Sequence, residues 1–366
     1  MLSDFKHRYR MLLVIQPVLT SYRRVFFDEM REYFDEIHVC ANLKIKDGFL
    51  ADVTGSFSQQ HTPVVGMRAH VYYQVGIILA IIVKRPSAIF ITADFRAIHF
   101  WLILVFAYIF RVPVFSHGQG LYDKPSAGFV RRFLFGVVLH FSAAYVCYTE
   151  SVRHSLSDLG LPLRKLSVMK NTLVNEFPIS PHVKKSDDRL LFVGRLREGS
   201  NLGLLLDAME QLKNDGSPVA LDVVGDGVLK DDIVTLTEEM GLDVHFHGSI
   251  YDDEKISEIS KHCGFGVYPG DAGLSLVHYM SLSLIPIVHG ALDKHMGPEP
   301  SYIKHGVNGL FFDRGDANSL AHTISSALGD ENRSAIKTNA YNTYVSLSKP
   351  SMAEKLMVIM KPHLKS

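Results

Sequence analysis

The chain has 366 residues, of which 47% are hydrophobic and 21% charged, and its formal net charge is zero. That length predicts two domains, and that composition excludes a disordered chain, a collagen and a coiled coil. Three widely spaced cysteines, Cys40, Cys147 and Cys263, exclude a disulfide framework or a zinc knuckle and suit a reducing cytoplasm.

Taken in chain order, basic residues precede the apolar run at 11–15. The run is too short for a signal-peptide core and no small-residue cleavage site follows, so it reads as a buried first strand. An amphipathic helix over 24–34 and a strand over 37–41 follow. Residues 75–83 and 97–110 are conspicuously apolar. Neither reaches the ~20 residues that span a bilayer, so both read as core helices on a sheet, with part of their surface open to lipid. Strands are expected at 88–92, 112–116 and 145–149, with helices over 128–143 and on to Leu159. Residues 171–189 hold two prolines and polar clusters without periodicity and read as a linker. The rhythm restarts with strands at 190–193, 220–224, 244–247, 265–268 and 285–288. Helices are expected at 202–212, 229–240, 253–261, 273–282, 318–327, 333–347 and 350–361. Strand–helix alternation on both sides of the linker predicts α/β architecture with two doubly wound, Rossmann-like domains. Such folds bind ligands at the carboxyl ends of their strands, so two facing domains imply a cleft.

Several motifs sit at those strand ends. Arg195 follows the strand at 190–193 and offers planar donors suited to a phosphate; a surface arginine after a turn fits the pair Gly194-Arg195 equally. In YPGDAGLSLVHYM, residues 268–280, a helix start near Gly273 would present the N–H groups of Gly273, Leu274 and Ser275 to an anion. Asp271 stands before it as an N-cap or as an acceptor for a ligand hydroxyl; a capped helix without ligand has the same pattern. His278 follows on that helix, one of 18 histidines. In His117-Gly118-Gln119-Gly120 the glycines allow a tight turn. His117 there can hydrogen-bond a sugar hydroxyl or move a proton, or be incidental to the turn. Gln16 ends the first strand, and Tyr22 and Arg23 open the next helix. Dinucleotide, P-loop, nucleophile-elbow and zinc-protease motifs are absent, as is any nucleic-acid-binding signature.

In order and spacing these motifs resemble the GT-B glycosyltransferases, in particular the retaining family 4 group of bacterial polysaccharide and O-antigen synthesis. The resemblance is strongest over 165–312. Val168-Met169-Lys170-Asn171 resembles the interdomain hinge, and Phe192–Leu196 with Leu204–Ala208 the first donor motif. Val224–Gly227 and Phe246–Gly248 resemble two donor-side loops, Gly273-Leu274-Ser275 the phosphate-side helix start, and Gly306–Leu310 a late glycine turn. This chain departs from the family at three places. Ser200 stands where a lysine is usual, and Gly270 and His278 stand where two glutamates are usual. Asp271 and Glu299, the latter in Met296-Gly297-Pro298-Glu299-Pro300, are the carboxylates nearest the missing pair.

The resemblance implies an acceptor-binding domain over 1–170, a linker over 171–189, a nucleotide-sugar-binding domain over 190–345, and a segment over 346–366 that packs back on the first domain. It implies His117, Asp271 and Glu299 as catalytic residues. Arg195, Ser200, Gly248, Ile250, Gly273, Leu274, Ser275 and His278 would bind the donor, and Gln16, Tyr22, Arg23, Gly118 and Gly120 would form the acceptor loop. The co-substrate would be a nucleotide diphosphate sugar, with no cofactor and no metal, since no Asp-x-Asp motif serves the phosphates. The acceptor would be a saccharide, carried on a polyprenyl lipid at the inner face of the plasma membrane. Residues 1–175 carry 20 Lys and Arg against 12 Asp and Glu, and 176–366 carry 18 against 26. Lys124, Arg131 and Arg132 with Phe129, Phe133 and Phe135 would form the membrane face of that basic half. Three other readings remain: a non-hydrolysing sugar-nucleotide epimerase, an inactive GT-B partner protein, and a membrane-embedded scaffold.

Overall fold

A computed structural model of the chain describes residues 8–43, 54–66, 70–121, 128–183, 185 and 188–365. The chain divides into two compact units, Met1–Asn171 with Pro350–Ser366, and Thr172–Lys349.

The first unit runs β1 (Tyr9–Val18), α1 (Arg24–Met30), β2 (Phe34–Asn42), β3 (Ser58–His61), β4 (Val64–Gly66), β5 (Tyr72–Gln74), α2 (Ile77–Lys84), β6 (Ala88–Thr92), α3 (Ile98–Ile109), β7 (Val114–Gly118), α4 (Phe129–Phe141), β8 (Ala144–Cys147), α5 (Glu150–Asp158) and β9 (Leu166–Val168). Seven strands form a parallel sheet in the order β3-β2-β1-β6-β7-β8-β9, and β4 pairs with β5 apart from it. The order reverses between β1 and β6, the place where such sheets open a ligand crevice. Alternate residues of β1 serve opposite faces. Leu12 and Val14 pack with Phe26, Phe27 and Met30 of α1, while Leu13 and Ile15 pack with Ile81 of α2 and Phe100 and Ile103 of α3. Helices on both sides explain why β1 is continuously apolar. Helix α1 stops at Met30, four residues before the expected end, because Phe34 is drawn into the core as the first residue of β2.

The second unit runs β10 (Arg189–Val193), α6 (Leu202–Asn214), β11 (Ala220–Val224), α7 (Lys230–Met240), β12 (Val244–Gly248), α8 (Asp253–Ser260), β13 (Phe265–Tyr268), α9 (Ser275–Ser281), β14 (Ile285–His289), β15 (Leu310–Phe312), α10 (Ala317–Leu328) and α11 (Arg333–Ser348). Its six parallel strands lie in the order β12-β11-β10-β13-β14-β15, with the reversal between β10 and β13. The stretch read as a linker is bonded into this unit. The Ile179 N–H donates to the Ser281 carbonyl at 3.0 Å, and Lys185 Nζ donates to the carbonyls of Ser260 and Leu282 at 2.8 and 2.7 Å. The last helix, α12 (Met352–Met360), opens with a Ser351–Glu354 capping box and buries Met352, Leu356, Met357 and Met360 in the core of the first unit. Among the described residues no helix is long and apolar enough to cross a membrane.

Candidate functional site

In the first unit, β7 carries His117 to the carboxyl edge, level with Thr92 of β6 and Val146 of β8. Its ring stacks on Phe90 with centroids 4.1 Å apart and on Tyr148 at 5.9 Å. Nε2 lies 3.2 Å from the Thr92 hydroxyl, and Nδ1 is buried without a partner. Burial, helped by the charge of Arg23, pushes its pKa down to about 3. The ring is therefore neutral in the physiological range. It suits a hydrogen bond to a hydroxyl, and it is a poor proton source or base.

His117 lines a small pocket with Gln16, Arg23, Tyr148, Asn171 and Met352. Gln16 Nε2 is a second buried donor without a partner. Arg23 donates to Asn171 Oδ1 and, at 3.1 Å, to Met352 Sδ. Lys170 adopts a left-handed φ of 57°, which turns the chain so that the Asn171 N–H meets the Tyr148 carbonyl at 2.7 Å. Two residues of the expected acceptor loop, Gln16 and Arg23, thus share one pocket with His117. Tyr22 is exposed, with the Arg23 guanidinium 5.1 Å above its ring. The glycine turn needs one correction. Gly118 is part of β7, and the left-handed residue is Gly120, whose N–H donates to the Tyr145 hydroxyl at 3.2 Å. Tyr148, Asn171 and Met352 were not foreseen here, because they arrive from distant segments.

In the second unit the loop after β10 lies on the loop after β11. The N–H groups of Gly194 and Leu196 donate to the carbonyls of Val224 and Asp226, both at 3.0 Å. Gly225 has a φ of 150°, and a methyl group there would overlap the Gly194 carbonyl. Only glycine permits this approach, which holds Arg195, half-buried, at the sheet edge. Arg197 was missed. Its side chain hydrogen-bonds Tyr268 and Met296 Sδ, and its Nε is buried without a partner. A second arginine two positions after the first was the available signal. Ser200 is buried, with its hydroxyl closing a turn by donating to the Arg197 carbonyl at 2.6 Å. That geometry gives Ser200 a structural role in the turn, unlike the donor contact expected of it.

Gly270 packs on that same turn. A Cβ at position 270 would stand 2.7 Å from the Ser200 carbonyl carbon, so the site excludes every side chain, glutamate included. The neighbouring Asp271 carboxylate accepts from Arg314 Nη2 at 3.0 Å and lies 3.1 Å from His289 Nε2. His295, stacked 3.7 Å from His289, pins the loop: its Nδ1 accepts from the Ala272 N–H and its Nε2 donates to the His289 carbonyl. Burial pushes the His295 pKa down to about 4.

Helix α9 starts at Ser275, two residues later than expected. Gly273 and Leu274 accept its first hydrogen bonds, from the N–H groups of Leu276 and Val277. The N–H groups of Gly273, Leu274 and Ser275 therefore precede the helical ladder. Glu299 is buried beside this turn, its carboxylate against Gly297 and 4.0 Å from where a Cβ on Gly273 would stand. His278 is buried, with Nε2 unbonded and 4.0 Å from an Asp253 oxygen; burial pushes its pKa down to about 4. Gly248, at φ 69°, accepts from the Gly225 N–H at 2.8 Å, and Ile250 packs half-buried on the core. The loops at 194–200, 225–227, 270–275 and 295–299 thus form one bonded cluster at the carboxyl edge. Of the expected membrane face, Arg131, Arg132, Phe129 and Phe133 lie on α4 and Lys124 lies outside the described residues. Phe135 does not belong to that face: it is buried, 4.8 Å from Phe95.

Comparison with known proteins agrees with this arrangement. Residues 175–343 match the family model described as "Glycosyl transferases group 1". A relative from Campylobacter jejuni, N-acetylgalactosamine-N,N'-diacetylbacillosaminyl-diphospho-undecaprenol 4-alpha-N-acetylgalactosaminyltransferase, is 32% identical over 25% of this chain. The match spans only 30% of that relative's length. A glycosyltransferase from Rickettsia africae superposes with a TM-score of 0.72 at 14% identity, covering 98% of this chain and 100% of that one. HepE from Anabaena, solved in complex with UDP, gives 0.71 at 15% identity over 96% and 100%. The chain therefore has the fold of the GT-B glycosyltransferases, and its residues 175–343 are similar to the glycosyl transferases group 1 family.

Proposed function

We propose that this chain is a retaining glycosyltransferase of bacterial surface polysaccharide synthesis. It moves a sugar from a nucleoside diphosphate sugar to a saccharide carried on a polyprenyl diphosphate, at the inner face of the plasma membrane. The observation that carries this reading is the bonded loop cluster of the second unit. It gathers Arg195, Arg197 and the free N–H groups at 273–275 within the region similar to the group 1 family. These donors bind the diphosphate and stabilise the negative charge that grows on it as the bond from the anomeric carbon to the phosphate oxygen breaks. No resident cofactor is required for that step. Glu299, buried at the Gly273 turn, takes the carboxylate role toward the donor sugar that position 270 cannot hold.

The first unit binds the acceptor at the sheet edge that carries Gln16, Arg23 and His117. His117, held neutral, orients a sugar hydroxyl. With so low a pKa it is a weak base, so the acceptor proton passes to the departing phosphate oxygen on the same face. Retention follows from that front-face displacement. Two relatives support the substrate classes: the Campylobacter protein is named for a diphospho-undecaprenol acceptor, and the Anabaena protein binds UDP.

A panel of nucleoside diphosphate sugars with polyprenyl diphosphate saccharides tests the reading. Transfer by the wild type and its loss in a folded Arg195→Ala variant are expected; wild-type turnover in that variant refutes the phosphate role. The competing reading, a nucleotide-binding relative without transfer, draws on the ion pair that neutralises Asp271. Nucleotide binding with no transfer across the whole panel would establish it.

A further inference from the structure

We propose that the outer face of α2, α3 and α4 docks the first unit on an anionic lipid bilayer by inserting apolar side chains, with arginines gripping the headgroups. The claim goes beyond the basic residues of α4 and stands on exposure and charge alone; the lipid-linked acceptor of the proposed reaction gives it a use.

Each of the three helices buries one apolar stripe and exposes another. In α2, Ile77, Ala80 and Ile81 are buried, while Leu79, Ile82 and Val83 face out, Val83 at 68% exposure. In α3, Phe100, Ile103, Leu104 and Ala107 are buried, while Leu102, Val105, Tyr108 and Ile109 face out, Ile109 at 67%. The first turns of α4 expose Phe129 at 83%, with Val130 and Phe133. Helix α3 packs against both α2 and α4, so the three helices lie side by side. A surface helix of a soluble domain carries charge on that side. Apolar exposure on three adjacent helices marks an interaction surface.

Charge identifies the occupant. Arg85 follows α2, Arg111 follows α3, and Arg131 and Arg132 lie in α4. No Asp or Glu occurs in residues 75–93, 95–121 or 128–149. A second copy of this chain using the same patch would set arginines against arginines across a twofold axis. An anionic bilayer complements both the apolar protrusion and the cationic rim. The mode is interfacial: α3 has 12 residues, about 18 Å of helix, against a hydrocarbon core of ~30 Å. Helix α4 lies between the parallel strands β7 and β8, so its N-terminal Phe129 lies toward the carboxyl edge of the sheet, where His117 sits.

Flotation of the full chain with vesicles of phosphatidylglycerol and phosphatidylethanolamine, or of phosphatidylcholine alone, tests the claim. The wild type is expected to float at least tenfold more with the anionic vesicles. A Val83→Ser/Ile109→Ser/Phe129→Ser variant, of unchanged charge, is expected to lose at least tenfold of that binding. It should keep the wild-type circular dichroism and nucleoside diphosphate binding. Arg131→Gln/Arg132→Gln should remove most of the preference for anionic lipid. The claim is overturned if the wild type does not float, or if the serine variant floats as well as the wild type. It is also overturned if the wild type sediments as a dimer that the serine variant breaks while neither binds vesicles. Because nucleotide binding is read separately, failure of flotation with nucleotide binding intact sinks only the docking claim. Flotation without nucleotide binding sinks only the transferase reading.

Discussion

At Gly270, where the resemblance to the GT-B family 4 group leads one to expect a glutamate, the backbone of Gly199 and Ser200 fills the space a side chain would need. Gly270→Glu is therefore expected to lower the stability of the second unit by ~2 kcal/mol or more and to leave transfer no faster. Thermal unfolding with an activity assay checks this; a stable, faster variant contradicts it. Arg197 is the residue to which the site gives more weight than its sequence does. Arg197→Ala is expected to weaken nucleoside diphosphate binding about tenfold, the scale of a charge-assisted hydrogen bond. Titration calorimetry would show it, and unchanged affinity would reduce Arg197 to a packing role against Tyr268. Arg195, Gln16 and His117 stand out in the sequence because each lies near the end of a recognisable strand, and Arg23 because it opens the next helix. Arg197 with Met296, and Arg23 with Met352, were not, since only the folded chain brings such distant positions together.

Among the elements, the long alternating strands and helices of both units were legible from apolar periodicity. The short strands β3, β4, β5, β9 and β15, three or four residues each, carry too few positions to show a period. The apolar helices α2 and α3 were legible as helices, but a helix apolar on all sides does not disclose which stripe stays outside. The segment read as a linker shows how a single buried residue fastens an element. Lys185 reaches the carbonyls that end α8 and α9, and burial pushes its pKa down to about 7. Lys185→Met should leave both carbonyls unbonded and cost ~1–3 kcal/mol of stability, measurable by urea unfolding. An unchanged midpoint would show that water replaces the ammonium at no cost.

Among the described residues, four buried histidines are pushed far enough down to be held neutral. Burial brings His117 to about 3, and His99, His278 and His295 to about 4. Their unfolded values lie near ~6.5. Below that pH the unfolded chain binds protons that the folded chain refuses, so stability is full above ~6.5 and falls as pH drops toward the folded values. At pH ~5 each such group subtracts ~2 kcal/mol. Denaturation midpoints are expected to fall steeply from pH ~6.5 to ~4, and less steeply in His117→Gln; a flat profile in that window contradicts the burial of these rings. At this scale the two doubly wound units were legible in the sequence, because strand–helix alternation stops and restarts.

The central claim is that the second unit grips a diphosphate with Arg195, Arg197 and the turn at 273–275. Calorimetric titration of the full chain with the common nucleoside diphosphates tests it most directly. Binding of at least one, weakened tenfold or more by Arg195→Ala and untouched by His117→Ala, is the predicted result. No binding of any, or equal affinity in Arg195→Ala, would contradict it.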